Sequence, residues 1–545
     1  MENPTPVTGH DPADSLELLN RLDSGDADAT HRALSEIVTG LLAAPPAPAQ
    51  HLEILEAARE RIHAAQAELA SRYAAHPLPP DGRDNATLAR VVALWQAVAR
   101  AYARIAENDT SNAAQSERVL LLAQRRVDAA GKVLFEYFRA HQAVPPGAWS
   151  ELHAGYAATE SLAQAKVRVP DTLNEVWKAQ STAEAYVAVL LVDLTNPFGR
   201  SPREFDWVCR WAQRFAPYCT LVADTHDDAT QSTAYGLDLA ADHGLRPLNV
   251  LAPSSSLRRF DARRLAPQIR GVLARFKEGA APVSLGLGAD CPPEAAHRLL
   301  LSLYRPWALS AASRRFPRRR GRGEADLCGD WLAIGYNVAG EPFEQPVLYS
   351  SGAWQDDNAW STFDDVKSGR TAGGGQSSRD TERRGFAAER WAVFDQSVSG
   401  FRLIRQPQHE RIEHRQLVGI RPPDGDRFLL GQVSWLMFRE DGVMEAGIQV
   451  LPGLPKVVPA RRFDLFRGRH IAYQPAFLLP GLPALRTGPS LVLPAGWYRP
   501  QAVIEIVDDT GMELRLTDIV LRGTNFDQVS FEPVVARDVL QGSAH

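Results

Sequence analysis

Apolar side chains recur at three- and four-residue steps through the first part of the chain. Ala33, Leu34, Ile37, Val38, Leu41 and Leu42 mark one helix that Pro45 and Pro46 close. A second runs from about His51 to Arg72 and stops near Pro77–Pro80. A third places Val91, Leu94, Trp95, Val98, Tyr102 and Ile105 on one face. A fourth, near Ser116 to Gln142, carries Leu120, Leu121, Val127, Val133, Leu134 and Phe138 and ends before Pro145. Helical stretches continue to about Phe215. Helices joined by short polar links predict a bundle or an α-solenoid, although no fixed repeat period holds. Between Tyr218 and Leu251 the period shortens, and Cys219–Val222 and Pro247–Leu251 are expected to be strands. Helices resume over Asp261–Phe276 and from Glu294 to about Ala312.

After Ser313 the chain becomes strand-rich. Trp331–Ile334, Gln416–Ile420, Phe428–Leu430 and Gly447–Leu451 lie between turns of Gly, Pro and Asp. Val338–Arg390 interrupts this series with Gly373, Gly374 and Gly375, many Ser and Asp, and little apolar period; it is expected to be a long disordered insertion. A last β-rich segment includes Ser490–Pro494, Ala502–Ile506 and Leu514–Leu516. The fold class is therefore multidomain α + β: an α-helical region at 1–215, a mixed α/β region with closing helices at 216–312, a β domain at 313–465 and a C-terminal β-rich segment at 466–545.

Charge narrows the function. With 60 Lys and Arg against 65 Asp and Glu the net charge is −5, which excludes a globally basic nucleic-acid coat and confines any polyanion site to a local patch. Cys209, Cys219, Cys291 and Cys328 lack the short paired spacings of a disulfide scaffold or a zinc ribbon. Met1–Ser15 has no basic start and no apolar core, so no signal peptide is expected there. The most apolar run, Ala183–Leu194, carries Glu184 and Asp193 and is too short to span a bilayer. Together these features predict a soluble, cytoplasmic protein without a membrane span.

The densest chemistry is a run of six arginines, Arg314, Arg315, Arg318, Arg319, Arg320 and Arg322. Guanidinium forks grip phosphate oxygens and the O6/N7 edge of guanine; a solvated linker or a helix C-terminus accounts for such a run equally well. Further on, Asp395, Ser397 and Gly400 follow the apolar Trp391–Phe394. A carboxylate accepts from a guanine N1/N2 edge, a hydroxyl bonds a phosphate or base, and a glycine admits close backbone approach. Taken alone, the same residue types make a β-turn.

In this order, Arg314-x-x-x-Arg318 followed by Asp395-x-Ser397-x-x-Gly400 resembles the PilZ domain, a small β-barrel that binds cyclic di-GMP. Gly425–Trp435 and Met444–Leu451 also look like that barrel, so the resemblance covers about residues 313–465. It implies that Arg314 and Arg318 contact guanine and phosphate, that Arg315 and Arg319 add cations, that Asp395 and Ser397 read guanine edges, and that Gly400 leaves room for the base. The 76 residues between Arg318 and Asp395 exceed the usual gap, and looping out the 53 of Val338–Arg390 leaves an ordinary 23. A rival pair, Arg379 and Arg383, has no strand between it and Asp395.

Other motifs are weaker. Gly286-x-Gly288 lacks the third glycine of a dinucleotide fingerprint, and Gly373–Gly375 has no following Lys-Ser/Thr. His409 and His414 are five apart, off one helical face. Cys291 and His297 form a nucleophile–base pair only by tertiary accident. The expectation is a non-enzymatic cyclic di-GMP effector with no cofactor and no metal. The resemblance implies a protein contact, such as motility, adhesion or envelope machinery, as its output, and nucleic acid is not expected as a partner. Two alternatives stand beside it: a degenerate barrel kept for protein contacts, and a nucleic-acid binder using the arginine run.

Overall fold

The computed structural model describes residues 12–22, 25–76, 78–109, 117–223, 234–308, 318–346, 386–406, 412–464, 469–470, 472–508 and 510–534. The chain divides into two compact units, Met1–Arg315 with Met437–Asp441, and Phe316–Leu436 with Gly442–His545.

The first unit is mainly helical: α1 (Pro12–Arg21), α2 (Ala27–Ala43), α3 (Pro48–Ala75), α4 (Gly82–Asn108), α5 (Glu117–Arg139), α6 (Ala148–Ser161), α7 (Thr182–Leu194), α8 (Pro202–Phe215), α9 (Leu265–Lys277) and α10 (Pro293–Ala308). Caps written in the sequence set several starts. Asp81 with Asp84, Ser181 with Glu184 and Ser201 with Glu204 form reciprocal capping boxes for α4, α7 and α8. Helix α5 is buried on two sides. Its Leu122, Ala129 and Val133 join the core of α1–α4, while Val127, Ala130, Leu134 and Phe138 join a second core extending through Trp307. That second core is continuous across residue 215, so the division expected there does not exist as a break in packing. Two small β elements decorate it: β1 (Arg168–Pro170) with β2 (Ala179–Ser181), and a four-stranded antiparallel sheet of β3 (Thr220–Ala223), β4 (Tyr235–Asp238), β5 (Arg246–Pro247) and β6 (Leu257–Asp261). The strand expected at Pro247–Leu251 is largely a 3-10 turn over Leu248–Val250. No helix among the described residues is long and apolar enough to cross a membrane.

The second unit holds two antiparallel barrels. The first comprises β7 (Arg319–Arg320), β8 (Glu324–Cys328), β9 (Glu389–Ser397), β10 (Gly400–Arg405), β11 (Leu417–Arg421), β12 (Leu429–Phe438) and β13 (Met444–Val450), with the six strands β8-β9-β10-β13-β12-β11 closing a ring. Strand β7 continues the line of β8 along β9. The second barrel contains β14 (Lys456–Asp464), β15 (Arg469–His470), β16 (Gln474–Leu479), β17 (Ser490–Pro494), β18 (Val503–Asp508), β19 (Thr510–Arg522) and β20 (Phe526–Pro533), and β14-β16-β17-β20-β19-β18 closes in the same way. Closure removes the exposed edges that open sheets carry. Because β14 pairs with β16 and β18, the first barrel ends by Val450 and not at the expected residue 465.

Trp331–Ile334, expected as a strand, opens a helix, α11 (Trp331–Ala339). Asp330 caps it by accepting from the Leu332 and Ala333 amides, and Gly340 ends it at φ +82°. Its Ala333 and Ile334 join Leu417 and Leu430 of the first barrel and Phe477, Leu479, Val492 and Phe526 of the second in one cluster. Strand β11 is therefore buried on both faces, which explains its unbroken apolar run. The centre of the expected insertion, 347–385, lies outside the described residues, and its margins belong to α11 and β9.

Candidate functional site

Strands β9 and β10 form a hairpin with Val398 and Ser399 at its tip and Ser397 opposite Gly400. The alternation of β9 places Trp391 and Val393 in the interior, at 0% and 6% exposure. The register against β10 then slips: Val393 lies opposite Leu403, but Asp395 lies opposite Arg402, leaving Phe394 as an extra residue. Such a bulge turns two successive side chains outward. Phe394, outward by the alternation, is 47% exposed, and the bulge puts Asp395 and Ser397 on the same outer face.

A row of residues crosses this outer face. Arg320 of β7 lies opposite Asp395, Asp395 opposite Arg402, and Arg402 opposite Gly447 of β13. Arg318, just before β7, donates from Nη1 to Asp395 Oδ1 at 2.5 Å. Arg402 donates from Nε to Glu445 at 2.9 Å; its guanidinium stands 4.4 Å from the Phe394 ring centroid and 5.9 Å from that of Trp435. Glycine at 447 is required by that indole, since a Cβ would lie 1.9 Å from Trp435 Nε1. Cations, a carboxylate, a hydroxyl and an exposed ring thus share one surface, a set suited to a planar, hydrogen-bonding anion.

The sequence-derived residues fall as follows. Arg314 and Arg315 lie outside the described residues, as do the rival Arg379 and Arg383. Arg318 and Asp395 are brought into contact. Arg319 pairs in register with Gln396, so it is Arg320 that shares the phase of Asp395. The strand separating the arginines from Asp395 is β8, not the segment expected at Trp331. Ser397 Oγ lies 3.3 Å from Ser399 Oγ and 3.4 Å from the Gly400 carbonyl oxygen. At Gly400 a Cβ would sit 2.3 Å from the Ile448 carbonyl oxygen, so packing against β13 demands the glycine and occupies the space expected for a base. Arg402, Phe394, Trp435 and Glu445 were not singled out from sequence. Only the spacing of Arg402 two residues past Gly400 hinted at an outward position.

The remaining motifs have structural explanations. Gly286 and Gly288 adopt φ +69° and +103° in a turn whose Leu287 carbonyl accepts from Trp211 Nε1 at 2.8 Å. Cys291 is buried, its thiol pushed up to about 11 by desolvation, and it donates to the Leu287 carbonyl, while His297 packs edge-on against Phe276. His409 lies outside the described residues. No group of His, Cys, Asp and Glu among the described residues has a metal-binding arrangement.

With this geometry in view, two family models match the chain. Residues 13–226 match that described as cyclic-di-GMP receptor FimW, N-terminal domain, and residues 460–534 match that described as FimW C-terminal beta-barrel domain. The first range falls within the helical unit and the second on the second barrel. The first barrel, with its outer row, lies between them. No curated protein gives a significant match.

Proposed function

We propose that this chain is a non-enzymatic cyclic di-GMP receptor whose first barrel, PilZ-like in plan, takes the nucleotide on the outer row of β7, β9 and β10. The observation that carries the reading is the Arg318–Asp395 contact, which brings the arginine run and the Asp-x-Ser-x-x-Gly hairpin together across the intervening residues. Similarity at both ends to FimW, described as a cyclic-di-GMP receptor, supports the same ligand. In this reading Arg318 and Arg320 hold phosphate charge, Arg314, Arg315 and Arg319 add to the basic entrance, Asp395 accepts from the guanine N1/N2 edge, and Ser397 bonds a phosphate or base. Gly400 contributes by letting the hairpin lie against β13. The output is a contact with a protein partner, and the setting is cytoplasmic, in keeping with four free cysteines.

One observation favours a second reading, a barrel that serves protein contacts alone: Arg318 and Asp395 already satisfy one another, and Gly400 is accounted for by packing. Calorimetric titration of cyclic di-GMP into the wild type, Arg318→Ala and Asp395→Asn separates the two. Saturable wild-type binding, weakened at least tenfold in both variants, is the expected result. Absence of wild-type binding leaves the scaffold reading, and undiminished binding in both variants moves the site elsewhere.

A further inference from the structure

Resting on that reading, we propose that Phe394 is the stacking platform for a guanine of the bound nucleotide, held in place from beneath by Arg402. Neither side chain belongs to the motif that drew attention to this surface. The bulge is what sets this ring beside the carboxylate. With regular alternation, neighbours on β9 would face opposite sides; the extra residue instead puts the Phe394 ring and the Asp395 carboxylate side by side on the exterior.

Phe394 is half exposed at the surface of its strand, yet its ring is fixed from two directions. Arg402 covers one side of the ring at 4.4 Å. Arg402 is itself anchored to Glu445, a side chain only 5% exposed, through Nε and Nη2. On the far edge, Gly321 donates its amide to the Phe394 carbonyl at 2.9 Å, and a Cβ there would lie 2.4 Å from Val393 Cγ1, so the adjoining strand runs close to the Phe394 backbone. The ring is thereby held by its backbone on one side and by a partly buried ion pair on the other. Beside it stand a hydrogen-bond acceptor, Asp395, and a guanidinium, Arg318. A π-face next to a carboxylate and a cation matches a purine that carries N–H donors on its edge and a phosphate nearby.

Phe394 is the residue to test, since Arg402→Ala would also take a charged partner from the buried Glu445 carboxylate and unsettle the barrel. Cyclic di-GMP is titrated into the full chain carrying Phe394→Ala, Phe394→Leu or Phe394→Tyr, beside the wild type, at low and high salt. Leucine keeps apolar bulk but has no aromatic face. The expected result is affinity about tenfold weaker for Ala and Leu, about 1.4 kcal/mol, and within about threefold of wild type for Tyr, in the range of base–aromatic stacking. The loss at Phe394 persists at high salt, whereas the loss in Arg318→Ala shrinks as screening grows. Wild-type binding with Leu and Ala indistinguishable from it overturns the platform and leaves the receptor reading intact. Equal losses in Tyr and Leu also overturn it, because stacking tolerates the hydroxyl. No binding by the wild type overturns the receptor reading, and the platform falls with it.

Discussion

At the residue scale, the two most instructive positions of the outer row behave oppositely. Gly400 is constrained by the fold. Alanine there would drive its Cβ to 2.3 Å from the Ile448 carbonyl oxygen, which belongs to a paired strand and cannot swing aside. Strands β10 and β13 would have to part, and overpacking of this kind costs about 1–3 kcal/mol. Gly400→Ala is therefore expected to lower the thermal midpoint measurably by calorimetry or circular dichroism, with or without nucleotide present. Arg318 lies at the surface, where an ion pair contributes about 0–1 kcal/mol, so Arg318→Ala should melt close to wild type while losing ligand. If Gly400→Ala melts with the wild type and binds worse, the glycine is a ligand residue after all.

At the scale of elements, Asp193 in the last turn of α7 shows how a local charge is tied to a long apolar helix. It sits where the helix's own carbonyl ends disfavour negative charge. Burial raises its carboxyl from the ordinary 3.8 to about 6, opposed in part by Arg246 and His243. Between these two values the folded chain keeps a proton that the unfolded chain has released, so stability falls as pH rises through about 4 to 6, and the deficit is fully present above that window. Asp193→Asn removes it. Its melting temperature should exceed that of the wild type at pH 7.5, with the two converging near pH 4; parallel profiles across that range would refute the assignment. Elements of this kind were unevenly legible. The helices α2 to α5 declare themselves by 3.6-residue periodicity, and β17 coincides with the expected Ser490–Pro494. Helix α11 did not, because Trp-Leu-Ala-Ile is too short an apolar run to distinguish helix from strand; Asp330 before it and Gly340 after it were the overlooked signals. The hairpin holding Asp395 and Ser397 was legible as a motif. The bulge at Phe394 was not, since it exists only as a mismatch between two strands, and no single strand records its partner's register.

For the molecule as a whole, barrel closure was the feature furthest from the sequence, since it depends on pairings such as β14 with β18 that join distant segments. What joins the two barrels is equally non-local. Helix α11, inserted between β8 and β9, contributes Ile334, fully buried among Leu417 and Leu430 of one barrel and Phe477 and Phe526 of the other. Trp331 adds a hydrogen bond from Nε1 to the Pro475 carbonyl of β16 at 2.8 Å. If this cluster is a shared core, a cavity opened in it should loosen both barrels together. Ile334→Ala removes three carbons from a site with no solvent access, at a cost of about 2–5 kcal/mol. Hydrogen exchange should then show lost protection of similar size in β11 and β16, while the helices of the first unit, whose cores contain none of these residues, keep theirs. Loss confined to β11 would mean that the second barrel is stable on its own core of Val458, Leu491, Leu493, Ile504, Leu514 and Val529 and only leans on the helix. The shared-core outcome carries a consequence for signalling: a ligand that stabilises the first barrel by mass action would also raise protection in the second, so occupancy of the outer row would be read at a distance through α11.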